Sequence, residues 1–342
     1  MAYFIDHINI SAGLNCFYSC LYNLMSYYKS NLTEADLFFI CDGFHCEYAR
    51  DKNDEKPHNR LTFDSYDKLI SRFCQELSID VNMKPKTEDI LLEKEIQDGL
   101  LQKNPVILMV DPKILTYHPL EENIENSCHC VLAYGLDSND AYIGDPYVVN
   151  SAGEVTTYSG PFELEQLNRG TYGLAWFDIS GQKEVPVIEQ PVIIDRLINT
   201  FSKFLMGKKN GDFFVGNKAL IKCIEDISDF QNIERSILEK NLIEFIYMVK
   251  VRFTFIIDYF ISILSAHKEA IRGDYQVIIG LLNEMKNEWN AFIVRLLMAS
   301  QSNESFMLER AIKKGLHVIK KQERLFFEIL AVFKSLKEDL AH

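Results

Sequence analysis

The chain has 342 residues, about half of them hydrophobic and a quarter charged, the balance of a soluble globular protein with room for two domains. Its net charge of −13 is lodged mainly in residues 1–185, which hold 14 Lys and Arg against 29 Asp and Glu; this argues against nucleic acid as a partner and suits a cationic amine. Eight cysteines with no CxxC pair, and no basic-then-apolar leader at the N-terminus, point away from a disulfide scaffold, a zinc site and secretion, and toward reduced thiols in the cytoplasm with no bound metal.

In chain order, the apolar positions Phe17, Cys20, Leu21, Leu24, Met25 and Tyr28 predict a helix over 16–28, with Gly13 and Asn15 in the turn and cap before it. Helices are predicted over 33–40, 64–77 and 88–102, with an exposed polar loop at Asp51–Arg60. The pattern then turns to strands: 105–110, 130–134, 141–144, 154–158 and 172–178. The stretch Asp137–Asp140 makes a hairpin turn. Helices followed by an antiparallel sheet make the first half α+β. The proline-containing stretch 181–191 marks a boundary between a domain at 1–183 and one at 192–342.

The second half reads as helices over 192–206, 216–229, 232–268, 274–299 and 303–338, an all-α bundle with a loop at Gly207–Gly216. Residues 242–264 are the most apolar stretch. They carry Glu244, Lys250, Arg252 and Asp258, so they are expected to be a buried helix and not a membrane span.

The chemistry gathers at Cys16. A thiol at the start of a helix has its thiolate stabilised by unpaired N–H groups, and the Cys16 N–H itself can hold an oxyanion. Cys20, one turn on, is the rival nucleophile and the better packing residue. His129 heads one strand of the predicted hairpin and Asp145 ends the other. Antiparallel pairing brings these ends together, so Asp145 can fix the imidazole while its other nitrogen faces the thiol.

Asn15-Cys16, Tyr27-Tyr28 and Leu32-Thr-Glu-Ala-Asp36 resemble the opening of the double-glycine leader peptidases, a papain-like family. A nearer resemblance is to the butirosin biosynthesis protein H N-terminal domain family. It rests on Gly13-Leu-Asn-Cys16, on Leu37-Phe-Phe-Ile-Cys-Asp-Gly43-Phe44 through Tyr48, on Pro105-Val106, Asp111 and Tyr117, and on His129 before Tyr134-Gly135. It spans roughly residues 9–180.

The resemblance implies a papain-like cysteine acyltransferase of bacterial antibiotic biosynthesis. Cys16 would take an acyl group from a phosphopantetheine thioester on an acyl carrier protein and pass it to a small amine. A papain-like peptidase places a glutamine about six residues before the cysteine; Ile10 stands there, flanked by Asn9 and Ser11. Asn9 and Asn15 are candidates for the oxyanion or substrate site. Asp111 can bind a substrate amine or cap a loop, and Tyr117 is a motif position without an evident role. The competing functions are a peptidase or amidase using Cys16, His129 and Asp145, and a non-catalytic scaffold. The basic pairs Lys208-Lys209, Lys313-Lys314 and Lys320-Lys321 are candidate carrier contacts, and the aromatic helices leave room for a homodimer.

Overall fold

The computed structural model describes residues 2–49, 56–87, 91–118, 128–149, 154–179, 190–207, 209–210, 213–266, 268–271, 275–302 and 304–340. Its elements run β1 (Tyr3–Phe4), α1 (Cys16–Tyr27), α2 (Glu34–Ile40), β2 (Cys46–Ala49), α3 (Pro57–Arg60), β3 (Leu61–Phe63), α4 (Tyr66–Leu77), β4 (Asp80–Pro85), α5 (Leu92–Leu101), β5 (Val106–Val110), β6 (His129–Leu136), β7 (Asp140–Val149), β8 (Val155–Glu163), α6 (Leu164–Gly170) and β9 (Thr171–Asp178). They continue with α7 (Gln190–Met206), β10 (Lys209–Asn210), β11 (Phe213–Val215), α8 (Asn217–Glu225), α9 (Arg235–Val249), α10 (Phe255–Ala266), α11 (Lys268–Ile271), α12 (Tyr275–Gln301) and α13 (Ser305–Leu340). The protein is α+β with a helical C-terminal part. Among the described residues no helix is long and apolar enough to cross a membrane.

Internal contacts divide the chain into two units, Met1–Cys41 with Tyr66–Val187, and Asp42–Ser65 with Ile188–His342. The expected boundary stretch 181–191 falls largely on 180–189, outside the described residues. Segment 42–65 lies within the first predicted domain but groups with the helical unit. Its β2 pairs with both β3 and β11, and Phe44 stacks on Phe204 with ring centroids 4.3 Å apart. The predicted polar loop at 51–60 lies outside the described residues over 51–55, and Pro57–Arg60 forms the short helix α3, with proline at its first position.

In the first unit an antiparallel sheet runs β4-β9-β5-β6-β7-β8, with β1 added to β6. Central strand β5 is buried at every residue, which is why it reads as an unbroken apolar run. Leu69, Ile70, Phe73, Cys74 and Leu77 form the buried stripe of α4. Edge strand β4 escapes the sequence pattern because its residues, Asp-Val-Asn-Met-Lys-Pro, are exposed or half-buried. Helix α1 packs on β6 and β7, and α2 is closed by a capping box between Thr33 and Asp36.

The second unit is a helical assembly around Phe201, Phe204, Phe260, Phe326 and Phe333, each buried. The predicted helix 232–268 is interrupted by a π-helical turn at Lys250–Thr254, where the Thr254 hydroxyl donates to the Val249 carbonyl five residues back. The predicted helix 216–229 gives way at Asp226 to a 3₁₀ segment. There the Asp226 carboxylate accepts from Lys222 at 2.6 Å and the Tyr48 hydroxyl at 2.9 Å. The predicted loop at 207–216 contains the β10–β11 pair. Two of the basic residues named above are engaged within the unit. Lys314 pairs with Glu288, and Lys321 reaches Glu288 at 3.0 Å and Glu284 at 2.5 Å.

Candidate active site

Cys16 is the first residue of α1 and is 8 % exposed. Asn15 caps the helix: its Oδ1 accepts from the N–H groups of Phe17 at 3.0 Å and Tyr18 at 3.4 Å. The two amides before the cysteine are taken by a residue that spacing alone did not single out. The Glu34 carboxylate accepts from the Leu14 N–H at 3.0 Å, the Asn15 N–H at 3.1 Å and the Ser19 hydroxyl at 2.9 Å. Glu34 lies inside the Leu32–Asp36 motif, which carried the only sequence signal for it. Among the described residues the Cys16 N–H meets no protein acceptor.

This wrapping leaves no space at Gly13. A Cβ there would fall 2.0 Å from Ser19 Oγ and 2.3 Å from Glu34 Oε2. Gly13→Ala is therefore expected to push the carboxylate off both amides and tilt the start of α1. The expected cost is a loss of turnover of about 10²-fold, as for a small misplacement of reacting groups. Steady-state kinetics beside a thermal melt checks it; unchanged turnover would show that this grip does not position Cys16.

His129 and Asp145 meet by a device that the hairpin turn does not supply. Near the turn, Leu136 pairs with Ala141 and Gly135 with Tyr142. Continued unbroken, that register would set Asp145 opposite Leu132, on the sheet face away from His129. Tyr134 is an extra residue, and beyond it Ala133 pairs with Ile143 and Leu132 with Gly144. The bulge moves the register by one and turns Asp145 onto the His129 face. His129 Nε2 then lies 2.8 Å from Asp145 Oδ2. Because a carboxylate accepts, Nε2 carries the proton; Nδ1 remains for a second partner, and the Cys16 sulfur lies close enough for its charge to raise the imidazole pKa.

Asp145 is wholly buried and fully satisfied. Its Oδ1 accepts from the Tyr147 N–H at 2.9 Å, and Oδ2 also accepts from the Tyr117 hydroxyl at 3.1 Å. Tyr117 thus sits behind the carboxylate, its ring stacked on Tyr158 at 3.9 Å. Asp111 caps the 3₁₀ turn at Pro112–Ile114 through the Lys113 N–H, which is the loop-capping alternative left open above. Asn9 is exposed. Ile10 packs against the β7 backbone, where a Cβ on Gly144 would meet it at 2.4 Å.

The titration of these groups follows from their neighbours. The Cys16 thiol is held well below its usual range, first by a hydrogen bond from Cys130, then by the charge and hydrogen bond of His129 and by Tyr66, together outweighing burial. Burial opposes a charged His129, but Asp145 and Cys16 overcome it and hold the imidazole well above its usual range. Burial likewise opposes the Asp145 charge, and His129 and the Tyr147 N–H keep it below the usual carboxylate value. Both shifts favour a thiolate beside an imidazolium. Cys20 is pushed well above its range by burial and then by the Cys16 charge, and its Sγ donates to the Cys130 carbonyl at 3.3 Å, the behaviour of a packing thiol.

Two further side chains border the site without a sequence signal. Tyr66, at the start of α4, places its hydroxyl 3.7 Å from Cys16 Sγ. His118 packs edge-on to His129, ring centroids 5.4 Å apart, and its Nε2 donates to the Tyr147 carbonyl at 3.3 Å. Burial and then the His129 charge lower its pKa, which favours the neutral ring. Ligating atoms of His118, His129 and Asp145 lie within 4.8 Å of one another. A cation there would have to displace the protons that His129 and Tyr117 direct at Asp145 Oδ2, so the donor set fits a hydrogen-bond relay better than a metal.

Residues 15–146 match the family model described as butirosin biosynthesis protein H, N-terminal, and this segment belongs to that family. It contains Cys16, His129 and Asp145. An uncharacterized protein of Bacillus subtilis (strain 168), YobF, is 22% identical over 225 residues, covering 61% of this chain and 68% of that protein.

Proposed function

We propose that this chain is a cysteine acyltransferase with a papain-like catalytic unit, moving an acyl group from a carrier-protein thioester through Cys16 to an amine, in biosynthesis of the antibiotic kind that the family description names. The observation that carries the reading is the buried His129–Asp145 hydrogen bond at 2.8 Å, together with the Cys16 sulfur at a helix start, whose charge raises the imidazole pKa. The thiolate adds to the thioester carbonyl, forming a C–S bond and an oxyanion. Collapse re-forms the carbonyl and breaks the bond to phosphopantetheine, whose thiolate takes the His129 proton. The amine then adds to the acyl-Cys16, gives its proton to His129, and leaves as the amide while the Cys16 thiolate is restored.

The choice of thioester over peptide rests on the oxyanion site. Ile10 occupies the position where a peptidase supplies a glutamine donor, and its side chain is spent on packing against Gly144. A thioester is already activated and asks less of that site than an amide does. The acidic first half favours a cationic acceptor. To test this, the acetyl thioester of N-acetylcysteamine, an acetyl-loaded carrier protein and a panel of peptide amides are offered to one preparation, and the intact mass is followed. The expected result is one acetyl group on Cys16, discharged by added amine. Cleavage of peptide amides without thioester use would make the protein a peptidase, and no adduct at all would favour a scaffold.

A further inference from the structure

Acyl transfer needs more than one donor for the oxyanion, and the position before α1 that supplies a glutamine elsewhere is filled here by a packing isoleucine. One donor is in place: the Cys16 N–H, at a helix start, meets no protein acceptor among the described residues. The neighbouring amides are spoken for, those of Leu14 and Asn15 by Glu34 and those of Phe17 and Tyr18 by the Asn15 side chain. Asn9 is exposed. Among the described residues, a hydroxyl that borders the sulfur is that of Tyr66. Its oxygen lies 3.7 Å from Cys16 Sγ and donates to the Cys128 carbonyl at 3.2 Å.

We propose that Tyr66 is a catalytic residue, whose hydroxyl turns from the Cys128 carbonyl to donate to the oxyanion formed on Cys16, in place of the missing glutamine. This rests on the acyl-transfer reading above. The oxyanion is two bonds from the sulfur, so it forms within a short swing of a hydroxyl that already touches Sγ. A phenol has one proton, which in the resting state is divided between the Cys128 carbonyl and the Cys16 sulfur. A charged oxygen is a stronger acceptor than a neutral carbonyl, so the exchange favours the intermediate over the substrate complex. The ring needs no movement, since only the O–H bond rotates. Phe17, one residue beyond the nucleophile, holds that ring, their centroids 5.0 Å apart.

The experiment separates oxyanion support from thiolate support. Iodoacetamide alkylates a thiolate by direct displacement and forms no oxyanion, whereas p-nitrophenyl acetate acylates it through one. Both rates at Cys16 are measured across pH for the wild type and for Tyr66→Phe, which keeps the ring. The expected result is acylation slower by about 10²- to 10³-fold, as for loss of one oxyanion donor, with the plateau alkylation rate unchanged within about threefold. Acylation within threefold of wild type would overturn the proposal, and so would a parallel fall in both rates, which would assign Tyr66 to the thiolate or to the fold. A wild type that alkylates at Cys16 but accepts no acetyl group would instead overturn the acyl-transfer reading itself.

Discussion

Cys16→Ala is expected to abolish acyl transfer, by more than about 10⁴-fold, in a chain that remains folded. The sulfur is the atom on which the acyl group rests, and no other thiol can stand in. Cys20 faces the same side of α1, but its thiol is engaged with the Cys130 carbonyl, and burial pushes its pKa well up. The Cys130 thiol is also pushed well above its usual range, by burial first and then by Cys16. The structural cost is small. One buried sulfur is removed, worth about 1 kcal/mol in a void that its neighbours partly close, while the cap at Asn15 and the Glu34 grip on the preceding amides involve no Cys16 side-chain atom. Single-turnover mass analysis beside a thermal melt checks both halves. Product formed by Cys16→Ala at an undiminished rate would end the proposed mechanism, and Cys20→Ala, expected to lose some stability and keep turnover, is the matched control.

What the sequence made legible was local. The cap at Asn15 and the stripe of α1 follow from residues within one helical turn of each other, and Cys16 stands at the helix start for that reason. The hairpin turn was equally plain, because the Asp137 carboxylate accepts from the Asn139 and Asp140 amides beside it. The pairing of His129 with Asp145 was anticipated for an incomplete reason. The turn alone would have put Asp145 on the wrong face, and the Tyr134 bulge that corrects it leaves no mark in the hydrophobic pattern. Tyr66 lies 50 positions from Cys16, and its approach depends on how α4 packs. The same limit applies to segment 42–65. Its short strands and Phe44 read as part of the first half by proximity along the chain, yet their partners are β11 and Phe204, far along in the sequence.

His129→Ala carries the other large effect, and its sign with pH is the sharper test. In the wild type the imidazolium lowers the Cys16 pKa, so alkylation is expected to begin well below the ordinary thiol value of about 8.5. Removing the imidazolium takes away a positive charge that favours the thiolate, and the Cys16 pKa must rise. The thiolate population at neutral pH then falls, and the alkylation profile moves to higher pH. Acyl transfer is expected to fall further, by about 10³- to 10⁴-fold, because the proton for the departing thiolate and the base for the incoming amine are both lost. Asp145→Asn separates these two losses. It keeps a ring beside the sulfur but withdraws the charge that holds His129 protonated, so the imidazole pKa falls and the Cys16 pKa rises by a smaller amount. Alkylation midpoints that ascend from wild type through Asp145→Asn to His129→Ala would match the relay. Coincident midpoints for all three would mean that the helix start and the Cys130 and Tyr66 contacts tune the thiol unaided, and that His129 is not its partner.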